Sequence, residues 1–290
     1  MIDYNPKSWI KLIFAFHKSD TFRILWKEIV YIGLFTTLVV LVKRSFFVET
    51  HFLEKLVAVY SLLGFVMSLL LIFRTNTAYD RWWEGRRKWG ELVNDTRNLS
   101  LKLANLLKDE ADRDFFKRMI TNFAFASKEH LRSGVDFNEL NLTPDEHEYL
   151  RAKKHVPLEI TDMMFSRINN MKTNGTITEM EVLFMERNLN GLMDFIGGCE
   201  RIRNTPIPFS YSLFIKKFIF VYVVTLPLAM VEQFSYFAAL ISTFIFYVLV
   251  SLEVLAEEIE DPFGTDENDL PTDQLCGRIL ESVEQTFKNK

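Results

Sequence analysis

Cysteine, histidine, proline and glycine are all scarce in this 290-residue chain, with 2, 5, 8 and 11 copies respectively. The two cysteines, Cys199 and Cys276, are too few for a disulfide framework, and both fall in segments that we assign to the cytoplasm. The histidines show no metal-ligand spacing, and the HExxH, CxxC, GxGxxG and Walker patterns are absent. These absences exclude disulfide-stabilised secreted domains and make an enzyme the least expected class.

Charged residues make up 25% of the chain but are missing from four stretches, which cover residues 29–42, 56–73, 218–231 and 234–252. The second and fourth, of 18 and 19 residues, have the length that a membrane-spanning helix needs. The other two have 14 residues each, and flanking side chains or adjoining uncharged residues can extend them. The sequence therefore predicts an all-α integral membrane protein with four transmembrane helices.

Lysine and arginine are distributed unequally around these stretches. Residues 1–28 and 74–88 contain five each, the 43–55 loop contains three, and Glu232-Gln233, the expected second outer turn, contains none. The positive-inside rule then places both termini in the cytoplasm. The predicted organisation is a cytoplasmic N-terminal segment (1–28), two transmembrane helices (29–73), a cytoplasmic helical domain (74–217), two further transmembrane helices (218–252) and an acidic cytoplasmic C-terminal segment (253–290).

The predicted cytoplasmic domain carries helix signals and no strand alternation. Thr143 to Glu146 offers a helix N-cap, a proline at the first helical position and a capping-box glutamate, and Thr178 with Glu181 repeats the box. Asn174-Gly175 is a helix end between the two boxes. We therefore expect this domain to be built from helices.

The second uncharged stretch has two distinct faces. Phe65, Leu69 and Phe73 are spaced four residues apart and form one apolar stripe, while Gly64 and Ser68 form a small-residue pair that lets a neighbouring helix approach closely. In a single helical bundle the stripe would be packed core. If several copies of the helix surround an axis, the same stripe becomes a set of apolar rings able to gate by dewetting. The spacing alone leaves both interpretations open.

Ile207 lies between Pro206 and Pro208, just before the third stretch. The two prolines lack backbone donors and hold Ile207 away from helical geometry, which predicts a rigid loop. A simple turn at the start of the next helix is the alternative.

Residues 74–86 combine arginines, carboxylates and tryptophans at the predicted membrane edge. An aromatic belt with arginine anchors explains most of this pattern. Asp80 and Glu84 are spaced i,i+4 beside Arg81, so they could also bridge adjacent subunits.

The segment 257–269 has seven acidic side chains in 13 residues. A solvated acidic tail is the common explanation. Its oxygen ligands could alternatively hold calcium, although the EF-hand pattern is not met.

Four motifs together resemble the prokaryote-type members of the bestrophin family, and the match extends from about Trp26 to Cys276. The motifs are RTNTAYDRWWEGR at 74–86, GCER at 198–201, TPIPFSY at 205–211 and EEIEDPFG at 257–264. The resemblance implies a homopentameric ion channel with four membrane helices and a large helical cytoplasmic domain in each subunit, and one pore on the five-fold axis. Its partners would be further copies of the chain, the lipid bilayer and permeant ions, with no nucleic acid and no required cofactor.

The resemblance also implies roles for individual residues. The pore neck would be formed by Phe65, Leu69 and Phe73. The cytosolic aperture would be formed by Ile207. Part of the calcium clasp of animal members is matched by Asp261, Asp266 and Asp269. The acidic run of that clasp is interrupted here by Thr265 and Asn268.

The sign of the permeant ion is left open by the sequence. Animal members of the family resemble chloride channels, prokaryote-type members include cation-conducting ones, and the uncharged neck does not decide between them. Two other functions compete with a channel: a secondary transporter, although only Pro227 interrupts a span, and a membrane-anchored interaction protein. For a prokaryote-type channel we expect a multi-pass protein of the bacterial inner (plasma) membrane, with both termini cytoplasmic.

Overall fold

The structure is a computed structural model that describes residues 21–46 and 56–288. Its regular elements within these residues are α-helices and one short 3-10 turn at Phe137–Glu139, without a β-strand, which confirms the all-α prediction. The helices are α1 (Thr21–Phe46), α2 (Leu56–Leu106), α3 (Glu110–His130), α4 (Pro144–Arg151), α5 (Val156–Thr173), α6 (Glu179–Asn204), α7 (Phe209–Phe234), α8 (Phe237–Glu260) and α9 (Thr272–Lys288). The N-terminal segment 1–28 and the 43–55 loop, whose lysines and arginines contribute to the predicted orientation, lie mostly outside the described residues.

Among the described residues, four helices are long and apolar enough to cross a membrane, namely α1, α2, α7 and α8. The first three contain the first three uncharged stretches and α8 contains the fourth from Phe237 onward, so the four predicted spans are confirmed by length and composition. The helices also run past the charged residues that end those stretches. α2 is the extreme case, because it continues through the arginine-rich segment 74–88 to Leu106 as one helix of 51 residues.

The predicted outer turn at Glu232-Gln233 is wrong by a few residues. Both belong to the last turn of α7, and the chain reverses at Ser235, whose φ of 52° lies in the left-handed region, and at Tyr236. Glu232 forms an ion pair with the buried Lys43 of α1. This pairing explains why a charged residue does not mark the end of the helix.

The chain divides into two compact units, of which the first comprises Met1–Trp82, Pro206–Asp261 and Asp266–Asn268. Within it α8 packs against α1 and α7. The buried apolar cluster of this unit contains Met67, Leu71, Ile215, Ile219, Tyr222, Val223, Leu226, Phe246 and Leu249. Only two of these residues, Met67 and Leu71, belong to α2, so α2 contributes a single narrow face to the core.

The second unit comprises Trp83–Thr205, Pro262–Thr265 and Asp269–Lys290. In it α3 packs against α5 and α9, and α5 packs against α6. Three aromatic side chains meet at its centre: Phe195 lies edge-to-face to Trp89 at 5.2 Å and to Phe123 at 6.2 Å. Such edge-to-face pairs stabilise a core beyond the area that they bury.

The helix ends of the second unit follow the sequence signals closely. Thr143 with Glu146 and Thr178 with Glu181 both form complete capping boxes, at the starts of α4 and α6. α5 ends just before Asn174, and Gly175 follows with a φ of +73°, which favours glycine. These predicted boundaries are confirmed.

Both cysteines are buried and free, as expected from their number. The Cys276 thiol donates a hydrogen bond to the carbonyl oxygen of Ala124 at 3.4 Å. Burial raises the pKa of both thiols, to about 12 for Cys276, so neither forms a reactive thiolate at neutral pH.

A group of charged side chains joins α3 to α9 inside the second unit. Asp273 accepts hydrogen bonds from Lys128 at 2.8 Å and from Arg132 at 2.9 Å, and Arg132 also donates to Thr272. The hydrogen bond from Arg132 is the main cause that lowers the pKa of Asp273 from 3.8 to about 2, with Lys128 acting in the same direction. The carboxylate is therefore a stabilising partner only while it is ionised.

We expect Asp273→Asn to lower the free energy of unfolding at pH 7 by about 1 kcal/mol, a value discounted because the side chain is 64% exposed. Because the folded-state pKa is depressed, this contribution is complete above about pH 5 and is lost as the pH falls from about 4 to about 2. Denaturant unfolding of the two proteins across this range checks the expectation. A difference that persists unchanged at pH 2 would contradict it.

Candidate functional site

The apolar stripe of α2 is uncovered within a single chain. Phe65, Leu69 and Phe73 are 62%, 39% and 61% exposed, whereas Met67 and Leu71, on the opposite side of the same helix, are buried in the core of the first unit. The stripe is therefore not core of a single chain, which was the main alternative left by the sequence. Three large apolar side chains in a row need a lipid, another subunit or a pore lumen as their environment.

The small-residue face of α2 is used inside the chain at Gly64. A Cβ atom on Gly64 would lie 2.8 Å from the hydroxyl oxygen of Tyr222, which reaches across from α7 and donates to the carbonyl oxygen of Tyr60 at 3.3 Å. Ser68, the other member of the pair, is exposed and donates to the carbonyl oxygen of Gly64 at 2.9 Å. The helix that approaches Gly64 closely is thus α7 of the same chain, so this glycine does not argue for contact between subunits.

Ile207 lies in the loop between α6 and α7 and is half-buried. Its backbone N–H donates a hydrogen bond to Oε1 of Glu260, the last residue of α8, at 2.7 Å. The predicted loop is confirmed as a non-helical connection, because α6 ends at Asn204 and α7 begins at Phe209. Its position depends on a contact with α8 that the sequence did not indicate.

A buried arginine follows the stripe directly. Arg74, which is 1% exposed, places Nη1 at 2.7 Å from Oε2 of Glu260 and Nε at 3.7 Å from Oε2 of Glu253. Arg81, two turns further along α2, donates from Nε to the carbonyl oxygen of Glu260 at 3.0 Å. The end of α8 is therefore fixed to α2 through both the side chain and the main chain of one residue.

The carboxylates expected to bridge subunits behave differently from each other. Glu84 forms an ion pair with Arg201 of α6 in the same chain. Asp80 is exposed on the surface of the first unit. Glu84 thus has a partner within its own chain, and bridging between subunits by the two carboxylates stays a prediction.

The residues that match the calcium clasp are distributed over both units. Asp261 and Asp266 belong to the first unit and are exposed, while Asp269 belongs to the second and is buried. Gly264 is required beside Asp269, because a Cβ atom on it would lie 2.7 Å from Oδ2 of that carboxylate. Calcium binding by the three aspartates stays a prediction.

Asn268, one of the two residues that interrupt the acidic run, has a structural role. Its side-chain amide donates to Oε2 of Glu258 at 2.6 Å, and its carbonyl oxygen accepts from the indole N–H of Trp82 at 3.1 Å. An aspartate at this position would place a second carboxylate against Glu258, which is destabilising. The interruption is thus explained by a local hydrogen bond.

One cluster of potential ligands was missed by the sequence analysis. Nε2 of His130 and Nε2 of His155 lie 2.7 and 2.9 Å from the same oxygen, Oε1 of Glu200, and the two imidazole rings are 4.5 Å apart. Within the described residues this is the one group of three or more such side chains whose ligand atoms come within 4.8 Å of one another. The three residues come from the end of α3, the start of α5 and the last turns of α6, so no spacing in the sequence reveals them.

The chemistry of this cluster favours hydrogen bonding over metal ligation. Nδ1 of His155 accepts the backbone N–H of Leu158 at 3.1 Å and thereby caps α5. A neutral imidazole has one acceptor nitrogen, so Nε2 of His155 carries the hydrogen and donates it to Glu200. A metal at this point would require both nitrogens of His155 to act as acceptors. In this cluster the Glu200 carboxylate therefore links the end of α3 to the start of α5.

Comparison with known proteins places the chain among channel-forming membrane proteins. Residues 1–285 match the family described as bacterial/fungal bestrophin protein. A protein of Nostoc sp. named as a voltage-dependent anion channel-forming protein is 32% identical over 290 residues, covering 96% of this chain and 91% of the relative. YneE of Escherichia coli K12, with the same descriptive name, is 31% identical with the same two coverages. The crystal structure of a bacterial bestrophin homologue from Klebsiella pneumoniae has a TM-score of 0.82 and 28% identity, covering 91% of this chain and 98% of that one.

Proposed function

Because the chain belongs to the bacterial/fungal bestrophin family, we propose that it forms a homopentameric channel that passively conducts small anions through one central pore. It is a membrane protein of a channel family and not an enzyme. In this proposal α2 lines the pore, Phe65, Leu69 and Phe73 form the neck, and Ile207 forms the cytosolic aperture. The inner membrane of a bacterium is its proposed location, with both termini in the cytoplasm.

The observation that carries the proposal is the uncovered stripe of α2. Five copies of α2 around an axis would turn Phe65, Leu69 and Phe73 into three stacked apolar rings, one helical turn apart. Apolar rings of this kind expel water from a narrow passage and so control ion flow. The opposite face of α2, with Met67 and Leu71, is already occupied by its own subunit. One helix can therefore line a pore while its other face holds the subunit together.

The choice of anions rests on two supports. Both relatives described above carry anion channel-forming in their names. In addition, the edges of aromatic rings carry partial positive charge, so Phe65 and Phe73 can present a favourable surface to an anion without a formal charge. Conduction by cations is the alternative outcome of the test below.

A transporter is disfavoured by the continuity of the helices. Transporters typically bind substrate where paired membrane helices are broken. Pro227 is the one proline inside a predicted span, and α7 continues through it without interruption.

The proposal is tested by the size and the ion selectivity of the purified protein. Light scattering in detergent is expected to give the mass of five chains. In planar bilayers with a salt gradient, the current is expected to reverse near the equilibrium potential of the anion. A monomer or dimer at working concentrations would remove the pore, because too few subunits would surround the axis to enclose an aqueous path. Reversal near the cation potential would keep the channel and overturn its anion selectivity.

We expect Ile207→Ala to change the relative permeability among ions of one sign while leaving gating almost unchanged. Five copies of Ile207 would form one thin apolar ring, which discriminates ions by size and ease of dehydration more than it blocks them. Reversal potentials measured with anions of increasing radius check this, and Phe209→Ala, at the exposed first residue of α7, is the control. Superimposable permeability ratios for Ile207→Ala and the unchanged protein would remove Ile207 from the pore.

A further inference from the structure

The segment Pro206-Ile207-Pro208 contains a single backbone donor. Proline has no N–H, so the amide of Ile207 is the only group in these three residues that can donate a main-chain hydrogen bond. It donates to Oε1 of Glu260 at 2.7 Å, and this contact is partly buried. The main chain of the segment is thus anchored by one hydrogen bond, whose acceptor is a carboxylate at the end of α8.

Both oxygens of that carboxylate are in use. Oε1 accepts from Ile207, and Oε2 lies 2.7 Å from Nη1 of Arg74, with the Glu260 side chain 15% exposed. The main-chain carbonyl of the same residue accepts from Arg81. Glu260 is therefore held in place from α2 by two arginines, and it holds the loop in turn.

We propose that Glu260 is the positioning residue of the aperture: it fixes the height and direction of Ile207, and Arg74 keeps its carboxylate aimed at the loop. This inference rests on the proposed function, because Ile207 must line the pore for its position to affect permeation. Arg74 follows Phe73 directly, so the carboxylate also connects the cytosolic end of the neck helix to the aperture. A displacement at one constriction would reach the other through two short contacts.

The simpler interpretation is that Glu260 only neutralises the buried Arg74. The two interpretations predict different results for Glu260→Gln, a substitution that keeps the size of the side chain. The Glu260 carboxylate has two oxygens, one bonded to the Ile207 amide and one in the ion pair with Arg74, whereas a carboxamide has one oxygen and a donating NH₂ group. Arg74 is charged and lies 2.7 Å from Glu260 in the ion pair, so electrostatic attraction keeps the single oxygen beside it and Ile207 loses its acceptor. The neutralising interpretation predicts no effect at the loop.

The first measurement is hydrogen exchange of the intact oligomer, followed in a peptide that contains Pro206-Ile207-Pro208. In Glu260→Gln the Ile207 amide is expected to exchange faster by about tenfold or more. The control is Glu257→Gln, one turn earlier on α8, which removes the same charge from an exposed pair with Lys216 and should leave the amide unchanged. Unchanged exchange in Glu260→Gln would overturn the proposal whatever the channel conducts.

The second measurement is the permeability series used for Ile207→Ala. We expect Glu260→Gln to shift the ratios in the same direction as Ile207→Ala, by a smaller factor, since the isoleucine is still present but less fixed. The positioning role would be overturned if Glu260→Gln speeds exchange of the Ile207 amide but leaves the permeability ratios unchanged, while Ile207→Ala does shift those ratios. Unchanged ratios in both variants would show that the aperture assignment itself fails and would overturn the inference with it.

A second variant covers the case in which Glu260→Gln does not assemble. Glu260→Asp keeps the charge but shortens the side chain by one methylene, so the carboxylate cannot reach both Arg74 and Ile207. The same faster exchange and the same shift of permeability ratios are expected. Wild-type exchange and ratios in an assembled Glu260→Asp channel would contradict the proposal.

Discussion

Simultaneous replacement of Phe65, Leu69 and Phe73 by alanine is expected to raise the single-channel conductance severalfold. The substitution removes bulk where apolar rings would squeeze water out, so the passage stays hydrated. The folded subunit should survive, because these side chains are exposed in the single chain and do not fill its core. Buried residues of this size would cost about 2–5 kcal/mol each on truncation, and no folded protein would remain to record from.

The chain provides a closely matched control for this experiment. Leu240, Phe244 and Val248 on α8 have the same spacing of four residues and similar exposure, at 66%, 62% and 39%. They are not on α2, so the proposal assigns them to a face outside the pore. Their triple alanine variant should keep the conductance of the unchanged protein. If the α2 variant assembles and conducts like wild type, the neck assignment fails; if both variants raise conductance equally, the effect is not specific to the neck.

The transmembrane helices were predictable because their signal is local. A long uncharged stretch must form a helix in a bilayer, since no water is available for unpaired backbone groups. The capping boxes at Thr143 and Thr178 were predictable for the same reason, because donor and acceptor are three residues apart. The distribution of charged residues did not predict the length of α2. The charged continuation of this helix is stabilised by packing in the second unit and not by composition.

Contacts between residues far apart in the chain were not predictable. The Gly64 and Ser68 pair correctly indicated close helix approach, but only the fold shows that Tyr222 of the same chain occupies the space at Gly64. The Glu200 cluster brings together His130 and His155 without any spacing that a motif could record. In each case the signal lies in the packing of two helices, and a single sequence does not contain it.

The candidate site was predictable only in part for the same physical reason. The apolar stripe at Phe65, Leu69 and Phe73 can be predicted from helical periodicity, and the non-helical connection at Ile207 can be predicted from its prolines. The acceptor that anchors Ile207 lies 53 residues away, in a run of acidic side chains that looked like a solvated tail. Glu260 differs from its acidic neighbours in its partners, Ile207 and Arg74, which composition does not reveal.

Arg74→Met is expected to lower the free energy of unfolding of the subunit by about 3–5 kcal/mol. Arg74 is the shared counter-charge of two carboxylates, at 2.7 Å from Glu260 and 3.7 Å from Glu253, and Glu253 is only 3% exposed. Removing the cation leaves two carboxylates buried near each other, and the loss of their common partner costs more than the net value of the pair. Equilibrium unfolding in mixed micelles measures the change.

Two further variants show whether the loss comes from buried charge. Lys216→Met breaks an exposed ion pair with Glu257 and should cost less than about 1 kcal/mol. Adding Glu253→Leu to Arg74→Met removes the more deeply buried carboxylate and should recover a large part of the stability, because an apolar replacement of a buried ion pair is often neutral. Wild-type stability of Arg74→Met would show that the two carboxylates do not need their cation in the folded subunit. The connection from the neck helix through Glu260 to Ile207 would then lack the electrostatic restraint on which it depends.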